Sequence, residues 1–206
     1  MGFNGHCATA PLPPTMTTTP SPADSDAAFE RAAELLSAPS ALVHLALDEA
    51  RIVVSYMTPR FIAADTTFIR EGDANDEGFM ALVLDGEVVV ESITVSRTEP
   101  LTIKVLGPGS LVGEVGLVDQ EPRSASCTAS ADVLCAILTR DALRALIQAS
   151  PAIGAKLLLA IAANLAERLR DNARKLRLYA KLAKTMHQEL EYYTLAALKT
   201  APSPKV

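Results

Sequence analysis

Tryptophan is absent from this 206-residue chain, and aromatic residues make up 4% of it. A surface that stacks successive bases needs several rings, so composition argues against a binder of single-stranded nucleic acid. Basic excess is missing as well: 19 Lys and Arg stand against 24 Asp and Glu, a net charge of −5. That balance disfavours non-specific attraction of the whole chain to nucleic acid. Three cysteines, Cys7, Cys127 and Cys135, make no disulfide framework. An iron–sulfur centre usually takes four thiolates, one more than the chain has. Cys127 and Cys135 lie symmetrically about Ala131 and read as two buried thiols able to face each other across a hairpin. The histidines, His6, His44 and His187, all lie outside the region of short strands, so no metal site is expected. No nucleophile–base pair is apparent, so no enzyme is expected. A membrane-spanning run of about 18 apolar residues is lacking, and so is a basic-then-apolar leader. A cytoplasmic protein with no membrane contact is the expectation.

What is present is an apolar fraction of 49%, ample for a core, in a length that suits one domain with appendages. Residues 1–23 are rich in Pro and Thr and carry no charged side chain. They read as a disordered N-terminal arm. Asp24, Ser25 and Asp26 offer N-caps for a helix through Phe29, Ala33 and Leu36, ended by Pro39. Ser40 to Glu49 reads as a second short helix. From Arg51 the pattern turns to short strands with glycine turns. The β-rich runs are 60–63, 66–69, 79–84, 88–93, 101–106, 124–129 and 133–138. Asp85-Gly86 between two of them is a hairpin signal. Many short strands at near-regular spacing predict a sandwich or barrel. After Thr139 the period becomes helical, with Leu143, Leu146 and Ile147 on one face of a helix over 141–149.

One loop carries most of the chemistry. It reads Leu-Val-Gly-Glu-Val-Gly-Leu-Val-Asp-Gln-Glu-Pro-Arg-Ser-Ala over 111–125. Gly113 has no Cβ, so its backbone can approach a ligand closely. The residues after it suit a short helical turn, whose free N–H groups favour an anion, phosphate above all. Arg123 presents a planar fork that matches phosphate oxygens in pairs. Glu114 is an acceptor suited to a ribose hydroxyl. Taken singly, each residue reads as well as part of a Gly-rich surface turn.

The order Gly113-Glu114, then Pro122-Arg123-Ser124-Ala125, resembles the phosphate-binding cassette of cyclic nucleotide-binding domains, such as those of catabolite activator protein and protein kinase A regulatory subunits. The family pattern is approximately Phe-Gly-Glu-apolar-Ala-Leu, a short spacer, then Pro-Arg-(Ala/Ser/Thr)-Ala. Val112 stands here for the Phe and Gly116 for the Ala. The resemblance covers about Arg51 to Leu178. It implies a mainly β fold with flanking α: an eight-stranded jelly roll over 24–150, then a long C-terminal dimerisation helix over 151–200. It further implies a cyclic nucleotide ligand, cAMP or cGMP, with no metal. The implied contacts are Gly113, Glu114, Val115, Arg123, Ser124 and Ala125. A covering helix would add Arg168 and Asn172 against the base.

The C-terminal helix has a pattern of its own. From Leu158, apolar residues fall at 162, 165, 169, 176, 179, 183, 186, 190, 193 and 197, alternating by four and three over more than five heptads. Such a seam needs a partner, and a parallel homodimer through 151–198 supplies it. A helix folded back on its own barrel, or a hairpin broken near Lys184, would answer the same need. Asn172 is the polar member of the seam, and it can set register as well as touch a base. Arg168, Arg170, Arg174, Lys175, Arg177, Lys181 and Lys184 make a basic stretch. It is either a solvated face or a dock for an acidic protein partner. A helix-turn-helix like that of the resembled transcription factors needs roughly sixty residues, and only Pro202 to Val206 follow the long helix, so the chain reads either as a stand-alone sensor or as a piece cut from something larger. No direct DNA binding is therefore expected. The reading is a dimeric cyclic-nucleotide sensor acting on a protein partner. The alternatives are a ligand-free interaction protein with a degenerate pocket and a cyclic di-GMP-responsive relative.

Overall fold

The computed structural model describes residues 22–38, 45–74, 78–92, 101–119 and 121–200, the side chains of 22–24, 92, 101–103 and 191–200 excepted. It divides into two compact units, Met1–Leu157 and Leu158–Val206.

In the first unit, β1 (Thr58–Ile62), β2 (Thr67–Ile69), β3 (Phe79–Asp85), β4 (Val88–Ser92), β5 (Leu101–Leu106), β6 (Leu111–Val112), β7 (Ser126–Ala129) and β8 (Val133–Thr139) form two antiparallel sheets. One sheet has the order β1-β8-β3-β6 and the other β2-β7-β4-β5. Among the described pairings, only β4 and β5 join strands that are consecutive in the chain. The expected jelly-roll architecture is present.

The core lies between the sheets, and strand alternation builds it. Ala81 and Val83 of β3 and Val133, Cys135 and Ile137 of β8 meet Val88, Val90, Cys127 and Ala129 of the facing sheet. The intervening residues Met80, Leu82, Leu84 and Leu138 are also buried, on the opposite face, where α1 covers β3 and β8. This double burial explains why β3 and β8 read as unbroken apolar runs and not as alternating ones.

Two expected hairpins are corrected. β3 and β4 lie in different sheets, as do β7 and β8. Asp85-Gly86 is thus a corner where the chain steps to the facing sheet. Gly86 has φ +84°, and a Cβ there would meet the Asp132 carbonyl at 2.3 Å. Ser130 N donates to Glu87 O at 3.0 Å, so the two corners are pressed together. A turn dipeptide reports a reversal, which is equally compatible with either partner sheet. Cys127 consequently opposes Ile69 and Val90 in register, whereas Cys135 opposes Arg60 and Val83. Neither thiol is in a disulfide, and both are buried. Burial pushes the Cys135 thiol up from an ordinary 9.0 to about 12, against a smaller opposing effect of Arg60.

The helices also differ at their starts. The first helix, α1, spans Pro22–Ser37 and buries Ala28, Ala32, Ala33 and Leu36. Pro22 suits a first helical turn, so Asp24 to Asp26 lie inside the helix and not at its cap. Residues 1–21 and the helix breaker Pro39 lie outside the described residues. The second helix, α2, is Leu47–Val54, later than the span 40–49 expected for it, of which 40–44 also lie outside. Glu49 accepts from Ala46 N at 3.1 Å and acidic Asp48 shares the first turn, which fixes this start. Ala50, Val53 and Val54 then form its buried face.

After β6 comes a short helix, α3 (Glu114–Val118). Thr139 caps α4 (Arg140–Ala149) by accepting from Ala142 N at 3.2 Å, and α4 buries Leu143 and Leu146. The last helix, α5, runs Pro151–Thr200, starting in the first unit, where Lys156 reaches Glu49 at 2.5 Å. The second unit consists of its continuation. There Leu158, Leu169, Leu176, Tyr179, Met186 and Leu190 of the heptad seam are exposed, as are the basic residues 168–184.

Gly86→Ala should lower stability by about 2–4 kcal/mol, from left-handed strain plus a backbone clash. Gly72→Ala has the same sign of φ (+80°) but open space around it, and should cost about 1 kcal/mol. Equal denaturant midpoints for the two variants would contradict this account of the corner. For Cys135, the folded chain keeps a proton that the unfolded chain releases. Its contribution is therefore complete below pH 9 and fades between pH 9 and about 12. Urea midpoints followed from pH 8 to 10.5 should fall more steeply for the wild type than for Cys135→Val, by at most about 1.4 kcal/mol per pH unit.

Candidate functional site

The loop singled out from sequence folds into a short helix held between two arginines. Gly113 has φ 75° and ψ 7°, the left-handed conformation that turns β6 into α3. A Cβ on Gly113 would lie 2.9 Å from the Phe79 carbonyl and 3.0 Å from Arg123 Nη1. Glycine is therefore required here on two counts, backbone conformation and close approach.

Glu114 opens α3 and is fully buried. Arg123 is 4% exposed, an unusual burial for a guanidinium in a loop. Its Nη1 donates to Phe79 O and to Gly113 O, both at 2.9 Å. Its Cζ sits 4.7 Å from the centre of the Phe79 ring, within cation–π range. Both hydrogens of Nη1 are thereby committed to carbonyls. This sets the plane of the three other donors, on Nε and Nη2.

The backbone of Arg123 is fixed too. Gly72 N donates to Arg123 O at 2.8 Å, and Arg123 N donates to Asp73 O at 3.2 Å. The loop after β2 and the loop after α3 therefore form one backbone-bonded rim. Glu71 N adds a bond to Ser126 Oγ at 3.0 Å. Val115 and Ala125 are half-buried, and Ser124 is exposed beside Arg123. The first unit thus brings Gly113, Glu114, Val115, Arg123, Ser124 and Ala125 to one loop and its short helix. Arg168 and Asn172 belong to the second unit, where both are exposed on α5.

Gly116 occupies the position where the resembled pattern has alanine. A Cβ there would lie 2.9 Å from Arg123 Nη1 and 3.2 Å from its Cδ. The missing methyl is the space into which the Arg123 side chain packs. Two participants were not visible from sequence. Phe79 read as a strand residue, yet it gives Arg123 a carbonyl and a ring face. Arg140 has no role expected from sequence, since it falls just before the helix expected over 141–149, yet it reaches α3: Nη2 donates to Gly116 O at 2.6 Å and Nε to Leu117 O at 3.3 Å. The one signal for Arg140 was Gly78, where a Cβ would meet Arg140 Nη2 at 2.5 Å. Among the described residues, no group of three or more His, Cys, Asp or Glu is placed to hold a metal. No helix among them is long and apolar enough to cross a membrane.

Comparison with known proteins agrees with this geometry. The family model described as "Cyclic nucleotide-binding domain" matches residues 59–150. The Cyclic AMP receptor protein of Thermus thermophilus is 35% identical over 133 residues, 64% of this chain and 58% of that protein. The cGMP-dependent protein kinase, isozyme 1, of Drosophila melanogaster is 30% identical over 121 residues, 58% of this chain and 16% of the kinase. The chain thus spans little more than half of the first relative and a small part of the second. The crystal structure of a cyclic nucleotide-binding domain from Methylobacillus flagellatus is similar at a TM-score of 0.63 and 33% identity. That similarity covers 71% of this chain and 80% of the other.

Proposed function

Since the chain belongs to the cyclic nucleotide-binding domain family, we propose that it is a cytoplasmic sensor that binds cAMP or cGMP in its β-roll without turning it over. The observation that carries this reading is the anchoring of Arg123 at the foot of α3 by Phe79 O and Gly113 O. A guanidinium fixed in this way is already oriented when an anion arrives, so little freedom is lost on binding. The cyclic phosphate would meet this guanidinium and the N–H groups that follow Gly113. Ser124 would offer a hydroxyl to a phosphate oxygen. Glu114 would accept from the ribose 2′-hydroxyl. A ligand binding one conformation more tightly than another would shift their populations. Helix α5, which starts in the first unit and continues as the second, is the covalent route outward.

The second half of the proposal is a partner for α5. Leu169, Leu176, Tyr179, Met186 and Leu190 are each more than 60% exposed at heptad spacing. Soluble monomers seldom leave so continuous an apolar stripe in water. A second copy of the chain, in parallel, would bury it, with Asn172 pairing across the seam to set register. The exposed basic residues 170–184 would then face outward, toward an acidic protein partner.

A melting panel with cAMP, cGMP and cyclic di-GMP tests the sensor. A ligand at 100 times its Kd adds ~2.7 kcal/mol of stability, seen as an upward shift of several degrees. Arg123→Leu removes a buried charged partner at a cost of ~2–5 kcal/mol, so calorimetry should show binding roughly 30- to several thousand-fold weaker. Equal affinities for wild type and variant would remove the reading. A shift with cyclic di-GMP alone would replace its ligand, and no shift at all would favour a ligand-free interaction protein. Independently, sedimentation equilibrium should give a dimer for the wild type and a monomer for Leu169→Asp/Leu176→Asp. A monomeric wild type at tens of micromolar would dispose of the paired helix.

A further inference from the structure

We propose that Arg140 is a positioning residue for the phosphate site: it fixes the height of α3 against Arg123. The proposal rests on the nucleotide reading above and extends it to a residue outside the loop. A helix of five residues has almost no internal hydrogen bonds to hold it. Asp119 N bonds Val115 O at 3.0 Å, which satisfies the first of its late carbonyls. The next two, on Gly116 and Leu117, accept from Arg140 at 2.6 and 3.3 Å. Cationic donors at the carbonyl end of a helix also meet its negative pole.

The placement of Arg140 gives this contact its leverage. The residue directly follows β8 and begins α4, and its own N–H donates to Gly78 O at 3.0 Å. Its backbone is therefore tied to the strand end that leads into Phe79. Phe79 in turn supplies the carbonyl and ring that hold Arg123. Gly116 is touched from both sides: Arg140 bonds its carbonyl, while Arg123 fills the space beside its Cα. Arg123 grips the chain before α3 through Gly113 O, and Arg140 grips it near the end. The amides offered to a phosphate and the guanidinium offered to it are thus set by two arginines acting on one helix. Release of the far grip would let the amides move relative to Arg123 and spoil their convergence.

The test compares Arg140→Gln and Arg140→Lys with Arg144→Ala, which breaks an exposed pair with Asp141 on the same helix. In the ligand-free chain, deuterium exchange at the amides of Leu117, Val118 and Asp119 should quicken about tenfold in Arg140→Gln, in keeping with loss of charged hydrogen bonds. It should be unchanged in Arg144→Ala. Affinity for cAMP or cGMP should fall about tenfold in Arg140→Gln and recover in part in Arg140→Lys. In an Arg123→Leu background the same change should cost less, because the two residues act on one contact. A merely structural role would lower the melting temperature of Arg140→Gln and leave nucleotide affinity where it was. That result, or unchanged exchange in α3, overturns the proposal. A wild-type chain that binds no cyclic nucleotide defeats the sensor reading instead, and the exchange comparison then judges the hold on α3 by itself.

Discussion

The two bonds from Arg123 Nη1 to Phe79 O and Gly113 O are the constraint around which the first unit is arranged. A buried guanidinium is costly unless its donors are met and its charge is compensated. Here β3 brings up one carbonyl, the β6–α3 turn brings up another, and the Phe79 ring covers the cation's face. Each of those partners depends on the sheet pairing behind it. Phe79 is held opposite Thr139 of β8, and Val112, just before Gly113, is held opposite Ala81 of β3. The loop chemistry is therefore a consequence of strand register. A slip of one residue in β3 would point the Phe79 ring to the other face.

Sequence carried most of the strand map because the runs are apolar with several β-branched residues and glycine turns stand between several of them, although the two-residue β6 was not marked. It carried the cassette well because Gly113, Glu114, Pro122 and Arg123 are close in the chain and each has a separate chemical reason. It failed on partnership. Asp85-Gly86 announces a reversal, yet the partner sheet is decided by burial on both faces of β3, which no local signal holds. Helix α2 begins later than expected because Glu49 closes back on Ala46 N, a contact that outweighs the weak apolar pattern upstream. Arg140 escaped notice for a related reason. Its targets, Gly116 O and Leu117 O, lie more than twenty residues away and are backbone groups, which leave no trace in side-chain spacing.

Glycine usage ties these observations together. Gly113 and Gly116 both sit against Arg123, and Gly78 sits against Arg140. Each removes a methyl group where a guanidinium needs room. Two cations can then be packed around a five-residue helix without widening the sheets on either side. The family pattern has alanine where this chain has Gly116, so the extra room is a feature of this chain. It allows the Arg123 side chain to lie closer to the axis of α3 than a methyl would permit.

The sheet order also governs how the roll can come together. In its sheet β1 has β8 as its described neighbour, and β8 lies between β1 and β3. During synthesis the strand that knits this sheet is the last to leave the ribosome. Until it does, β1 waits with an unsatisfied edge, and the first sheet cannot zip up from local turns as a meander would. The nascent chain must therefore be kept from pairing with its neighbours until Thr139 has emerged, a demand set by topology and indifferent to any ligand.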